Sequence, residues 1–192
     1  MVFSEKIVRD ENYESLLNLA EINHTKVVYM EYLDVLHLGG ASFTCLFPTK
    51  DFVSDDKNAA SLVLYYEQED FSGMFTGDIS AEEEQLLLNE LEMFYDREDN
   101  LSQVIASELD FYKVAHHGSK YSNSAMFLET LKPKLSIVSC GVNNRYGHPH
   151  EETLERLDKV RSEAVSTAEY GQITIKVNAD IVVTTRLCPD YY

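Results

Sequence analysis

The chain has 192 residues, the size of one domain, and 44% of them are apolar, enough for a real core. This excludes an intrinsically disordered chain. The net charge of −17 argues against a protein that simply coats nucleic acid.

Residues 10–22 read as a short helix, with Leu16, Leu17 and Leu19 supplying its apolar side. The runs "KVVYMEY", "DVLHL" and "SFTCLF" read as strands, with a hairpin turn at Gly39-Gly40, a pair that tolerates positive φ. "PTKDFVSDDKN" is a polar loop, and "SLVLYYEQ" and "FSGMFTG" form a second strand pair. A helix is predicted to follow. Ser80 and Glu83 form a capping box, three acids occupy the first turn, and Leu87, Leu91 and Phe94 repeat on one face.

"NLSQVIASE" reads as an inserted turn of helix, and "LDFYKVA" as a buried strand. "NSAMFLETL" is a helix stopped by Pro133, and "KLSIVSCG" is another strand. "PHEETLERLDKVRS" is a helix with Leu154, Leu157 and Arg161 on a common side; Pro149 at its first position makes His148 the N-cap. "EAVSTA", "QITIKV" and "DIVVTTRL" finish the chain as strands. This order predicts a layered α/β or α+β sandwich, with the 192 residues forming one domain.

Cys45, Cys140 and Cys188 are far apart and form no C-x-x-C pair, so they read as buried or free thiols. No apolar run approaches the roughly 18 residues of a membrane span. The start, "MVFSEKIVRDENYES", lacks the apolar core of a signal peptide. As written, the sequence reads as soluble and cytoplasmic. Its charge is uneven: Tyr66 to Asp110 holds fourteen acids and one arginine, whereas Phe111 to His150 holds five Lys or Arg and one acid, Glu129. A local basic face of this kind can receive a phosphate, and it can equally be a solvated surface.

Three motifs carry chemistry. In "MFTGDIS", Asp78 follows a strand and precedes the capped helix; Gly77 allows the sharp turn, and a carboxylate there can hold a metal ion. In "HHGSKYSNS", His116 and His117 offer imidazole ligands for zinc, manganese or iron, while Ser119, Ser122 and Ser124 can donate to a phosphate or cap a helix. In "NNRYGHPH", His148 at a helix N-terminus is a candidate general acid or base, its charged form disfavoured there, and Arg145 a candidate phosphate clamp. Singly, each is also explained by loop chemistry. All three, however, fall between the end of a strand and the start of a helix, which points to a common pocket.

"NAASLVLYYEQEDFSGMFTGDIS", "DFYKVAHHGSKYSNSAMFLETLKPKLSIVSCGVNNRYGHPHEETLERL" and "EYGQITI" resemble, in order and from about Asn58 to Ile175, the metallo-β-lactamase-fold domain of ComEC-type DNA-internalisation competence proteins. The resemblance implies an αββα sandwich with a two-metal hydrolase site, zinc or manganese, at one edge of the sheets. It implies that Asp78 is the metal-bridging carboxylate, that one of His116 and His117 is a further ligand, and that His148 lies near the scissile phosphate. It also implies a membrane-associated setting, a membrane channel region beside the domain, and single-stranded DNA as substrate and partner.

The family site also needs an H-x-H-x-D-H segment from the first half of the fold. The remaining histidines, His24 and His37, lack that spacing, so the sequence reads as beginning after it, with half of the metal ligands missing. A catalytic zinc usually has three protein ligands and a water. Three expectations follow: a ComEC-type phosphodiesterase domain, weak or inactive as this chain, holding metal weakly or not at all and awaiting the missing half; a soluble metallo-hydrolase of a small ester or phosphate; or a non-catalytic binding or assembly remnant.

Overall fold

The computed structural model describes residues 1–95, 108–177 and 181–186. "NLSQVIASE" falls almost wholly outside them, as do Cys188 and the side chain of Phe94. The first strand, β1 (Val2–Ser4), pairs in parallel with β2 (Val28–Met30), and α1 (Glu11–Ile22) connects them. The α1 N-cap is Asp10, whose carboxylate accepts the Tyr13 N–H at 2.9 Å.

The apolar side expected for α1 is corrected by the structure. Tyr13 and Ala20 are buried, whereas Leu16 and Leu19 are 43% and 53% exposed. The helix instead turns the Tyr13 ring onto Phe3, 5.5 Å between centroids and edge to face.

The principal sheet has seven strands in the order β3-β4-β5-β6-β7-β8-β9. β3 (Val35–Leu38), β4 (Ala41–Phe47), β5 (Val63–Gln68) and β6 (Phe71–Phe75) form an antiparallel meander. The turn between β3 and β4 is the expected Gly39-Gly40 pair, with Gly39 at φ 63°. From β6 onward the strands run parallel: β7 (Phe111–Lys113), β8 (Leu135–Val138) and β9 (Glu163–Ser166).

The crossovers contain α2 (Ala81–Tyr95), α3 (Ala125–Leu131) and α4 (Glu151–Lys159). Leu87, Leu88 and Leu91 of α2, Phe127, Leu128 and Leu131 of α3, and Leu157 of α4 pack on Val63, Met74, Tyr112 and Val138. The Leu87–Leu91 stripe is therefore the core face of α2. In α4, Thr153 and Leu157 are buried, Leu154 is 39% exposed, and Arg161 lies beyond the helix in a left-handed conformation, so the Leu154–Leu157–Arg161 side expected from sequence does not form.

The opposite face meets a small antiparallel sheet of β10 (Gln172–Val177) and β11 (Ile181–Arg186), which follows the one-turn α5 (Thr167–Tyr170). Ile173, Ile175 and Val177 of β10 pack on Phe71, Phe111, Leu135 and Val165. The α/β class and the layered arrangement are those expected. Among the described residues the second layer over the principal sheet is this two-stranded hairpin.

Cys45 and Cys140 are free thiols, and burial pushes the Cys45 thiol up to about 12, leaving it unreactive. Among the described residues, no helix is long and apolar enough to cross a membrane.

Phe127 is fully buried with its ring edge against Tyr112, 6.2 Å between centroids. Phe127→Ala is expected to cost about 3–5 kcal/mol in urea unfolding. Leu16→Ala on the exposed side of α1 should stay within about 0.5 kcal/mol.

Candidate active site

Parallel strands β6, β7 and β8 end on the same edge of the sheet, and each hands the chain to a turn carrying one of the three motifs. After β6, Gly77 turns at φ 55°. A Cβ there would stand 2.7 Å from that of Ser61, so only glycine fits. Ser61 in turn accepts the Asp78 N–H on its hydroxyl at 3.0 Å, which anchors the backbone of the turn at Asp78. The capping box that starts α2 is present: the Ser80 N–H and hydroxyl both donate to Glu83, at 2.9 and 2.6 Å.

After β7 the chain makes one tight turn over Ala115–Gly118, in which His116 and His117 both take left-handed backbones, φ 48° and 57°. Such conformations cost on the order of 1–3 kcal/mol each in non-glycine residues. Several bonds hold them in place. The His116 N–H donates to the Gly77 carbonyl at 3.0 Å, joining the first motif to the second, and the His150 N–H donates to the Gly118 carbonyl at 2.9 Å, joining the second to the third. Gly118, at φ 88°, has no room for a side chain: a Cβ would lie 2.6 Å from that of Pro149.

A buried polar network sets the remainder of this loop. Glu84 of α2 is fully buried and accepts the backbone N–H groups of Asn123 and, at 2.8 Å, Ser124. Asn123 uses its side-chain oxygen to accept the Tyr112 hydroxyl at 2.7 Å and the Ala115 N–H at 3.0 Å, and its amide donates to the Ala115 carbonyl at 3.1 Å. Arg156 of α4 donates to the Lys120 and Ser122 carbonyls at 3.1 and 3.0 Å. The loop is thereby tied to both flanking helices and to β7.

The hydroxyls of the motif are structural. Ser124 caps α3, and Ser122 is buried and donates to the Ile79 carbonyl at 2.7 Å. Ser119, expected to meet a substrate phosphate, is 2% exposed, and its hydroxyl accepts the Tyr121 N–H at 3.3 Å. Arg145, the expected phosphate clamp, is exposed and lies over the Tyr146 ring, 4.7 Å from its centroid, with a hydrogen bond to that hydroxyl.

The N-cap of α4 is His150, not His148. Its backbone is extended, φ −73° and ψ 148°, and its N–H is already bound to Gly118 outside the helix. Pro149 therefore precedes the helix rather than opening it, across a cis His148–Pro149 peptide. The lowered pKa of His148 accordingly has another origin. Burial comes first, then the imidazoles of His150, His116 and His117, against the opposing pull of Asp78.

The side chains meet at one place. The His148 ring centroid is 5.8 Å from that of His116, 6.3 Å from His117 and 4.9 Å from His150. His117 Nε2 lies 3.6 Å from Asp78 Oδ1. His117 Nδ1 is 2.6 Å from the Ser139 carbonyl, which can only accept, so Nδ1 carries a proton, and in the neutral ring Nε2 turns its lone pair toward Asp78. This is the tautomer a metal-binding imidazole takes when a carbonyl supports it from behind.

No protein-family model matches the chain. Among curated proteins, ComE operon protein 3 of Bacillus subtilis is 31% identical over 191 residues, covering 100% of this chain and 23% of that protein. Recombination protein 2 of Haemophilus influenzae is 30% identical over 144 residues, 75% of this chain and 16% of that protein. The chain belongs to the ComEC-type competence family. Competence protein ComA of Neisseria gonorrhoeae is a further relative, 31% identical over 119 residues, 62% of this chain and 15% of that protein. The chain thus spans less than a quarter of the length of these ComEC-type relatives. Among solved structures, a zinc-dependent hydrolase of the metallo-β-lactamase superfamily from Thermotoga maritima aligns with a TM-score of 0.38 and 10% identity over 73% of this chain and 72% of that one, too slight a likeness to argue from.

The donors suit a divalent metal in kind. An ion about 2 Å from each ligand atom fits between two atoms 3.6 Å apart. They do not suffice in number. Among the described residues, no group of three or more His, Cys, Asp or Glu side chains is disposed to hold an ion. Asp78 and His117 alone fall short of the three protein ligands a catalytic zinc usually has.

Sequence reasoning left out Glu84, Asn123 and His150. Glu84 reads as one of three acids in a first helical turn, and nothing in the pattern marks it as the buried one. His150 stands in plain view in "HPH", and the helix-start rule set it aside by assigning the cap two residues early.

Asn123→Ala leaves the buried Tyr112 hydroxyl without its acceptor, at about 1–3 kcal/mol, and leaves the Ala115 N–H only the Tyr112 hydroxyl oxygen at 3.3 Å. Thermal unfolding should show the loss, and amide exchange at Ala115 should accelerate. Burial holds the Glu84 carboxyl above the ordinary range, against the Ser124, Asn123 and Arg156 groups that lower it. The folded chain then binds this proton more tightly than the unfolded one, so stability falls as pH rises from about 4.5 through the raised value. Glu84→Gln should remove that slope from a series of urea melts at stepped pH.

Proposed function

We propose that this chain is part of a metal-dependent hydrolase of phosphodiesters, acting on a DNA strand in the setting of DNA uptake, and that it contributes Asp78 and His117 to the metal site. The observation that carries the reading is the Asp78–His117 pair, 3.6 Å apart, with the imidazole proton committed to the Ser139 carbonyl. The relatedness to competence proteins supports the DNA setting. A divalent metal, when bound, supplies Lewis acidity to a phosphoryl oxygen and an activated water. The chain's own residues bind and orient. Asp78 offers a carboxylate on a backbone that Ser61 anchors, His117 an imidazole held from behind, and His148 a half-exposed imidazole whose lowered pKa favours the neutral ring, able to move a proton at Nδ1 or Nε2. The remaining ligands come from the H-x-H-x-D-H segment of a longer protein.

The isolated chain should bind zinc or manganese weakly, with little rise in melting temperature on adding either. In a longer protein carrying the H-x-H-x-D-H segment ahead of this chain, manganese-dependent cleavage of a single-stranded oligonucleotide is expected. Asp78→Ala should abolish it, and His148→Ala should lower kcat by about 10²–10⁴-fold. Full turnover in Asp78→Ala would overturn the assignment. Turnover of a small ester but not of the oligonucleotide would shift the reading to a small-substrate hydrolase. A longer protein that takes up no metal would mark a non-catalytic module.

A further inference from the structure

The loop between β8 and α4 carries two side chains that the metal-site donors do not use, Arg145 and Tyr146, just ahead of His148 in "NNRYGHPH". Asn144 closes this loop from within. Its side-chain oxygen accepts the His148 N–H at 2.9 Å, and its amide donates to the Gly141 and His148 carbonyls at 3.0 and 2.6 Å. The Gly147 N–H donates to the Asn144 carbonyl at 3.1 Å, and Gly147 turns at φ 71°. Tyr146 is thereby held at the surface, 61% exposed.

Planar groups follow one another from the Asp78–His117 pair toward water. The His117 and His148 rings are 6.3 Å apart between centroids and 17° from parallel; the His148 and Tyr146 rings are 5.7 Å apart and 22° from parallel. The Arg145 guanidinium lies over the Tyr146 ring and donates to the Tyr146 hydroxyl. Among the described residues, Tyr146 has a ring contact with His148 and none with His117. The order of the stack is therefore His117, His148, Tyr146, Arg145.

A tyrosine ring left in water gains little from burial, and here it holds two neighbours. The guanidinium it carries is kept flat and in one orientation, so a ligand that binds it orders little that is not already ordered. The Tyr146 hydroxyl takes one of its five donors. Among the described residues, no carboxylate lies within ion-pair distance of it. A preorganised planar fork without a counter-ion matches a phosphate. The net charge of −17 repels a polyanion from the chain as a whole, so such a contact has to be local.

We propose that Arg145, positioned by Tyr146, binds a phosphate of a single-stranded nucleic acid next to the one seated at the Asp78–His117 pair. The inference rests on the phosphodiester reading above and adds to it an element of specificity. A strand offers a neighbouring phosphate, whereas a small ester or a phosphomonoester does not. In the stack, His148 stands between the two seats, so the ring that holds Arg145 also packs on the imidazole that moves the proton.

The test is metal-free, so its failure is separate from failure of the metal-dependent cleavage assay. Binding of fluorescently labelled hexathymidylate to the chain is followed by anisotropy at stepped salt, with thymidine and inorganic phosphate as competitors. Saturable binding is expected, displaced poorly by either competitor. Arg145→Met should weaken it by about tenfold, the order that one charge-assisted contact carries. It should also flatten the slope of log affinity against log salt by about 0.7, the share of one phosphate on a single strand, which a merely structural role would not move. Arg145→Lys should keep the slope and lose part of the affinity, because an ammonium is a point charge without the fork. Tyr146→Leu should weaken binding by about threefold with the slope kept, since the charge remains and only its orientation is lost. Lys159→Met removes the same charge at the far end of α4 and should change neither quantity. A thermal melt checks that each variant is folded; should Arg145→Met not fold, Arg145→Lys and the phosphate competition decide. No saturable binding, an unchanged salt slope in folded Arg145→Met, inorganic phosphate displacing the strand as readily as unlabelled hexathymidylate, or Lys159→Met matching Arg145→Met would overturn the proposal.

Discussion

Glu84 receives the backbone N–H groups of Asn123 and Ser124 in the interior between α2 and the loop after β7, and the geometry at the sheet edge depends on that contact. A carboxylate buried there without donors would be very costly. With them, it fixes where the loop begins its return. Asn123, placed by Glu84, then binds both the N–H and the carbonyl of Ala115, so the turn carrying His116 and His117 is closed from inside. Two successive left-handed histidines are unfavourable by themselves, and this network over-determines them.

The consequence for chemistry is preorganisation. Asp78, His117 and His148 come from three crossovers, and backbone bonds from His116 to Gly77 and from His150 to Gly118 link those crossovers directly. None of the three side chains depends on a long flexible reach. Ser61 anchors the backbone of the first, the Ser139 carbonyl orients the second, and packing among imidazoles the third. Hydroxyls that a reader of the motif would assign to substrate are spent inside the loop. Binding of an anionic group therefore has to draw on other donors.

Much of this was legible in the residues. The Gly39-Gly40 turn, the Ser80–Glu83 capping box, the Leu87–Leu91 face and the placement of all three motifs between strand and helix depend on local rules of backbone and period, and each formed as expected. The failures share a cause. The Leu16–Leu19 face of α1 and the Leu154 side of α4 were assigned by hydrophobicity alone, whereas burial goes to whichever side another element covers. Around Tyr13 an aromatic contact with Phe3 decided the rotation of α1. At the start of α4, a hydrogen bond from His150 to Gly118 shifted the cap, and the partner lies far away in sequence.

The sequence by itself determined the element order, the glycines that only a turn explains, and the relation to ComEC-type proteins through "HHGSKYS" and "NNRYGHPH". These are properties of short stretches, and short stretches are what a sequence displays. Only the tertiary structure decided which of two adjacent histidines faces Asp78, which of several acids in α2 is buried, and that Phe75 and Lys113 stand side by side across strands. Each of these depends on contacts between residues distant in the chain, where the free energy of burial and of long-range hydrogen bonds, rather than local propensity, selects the arrangement.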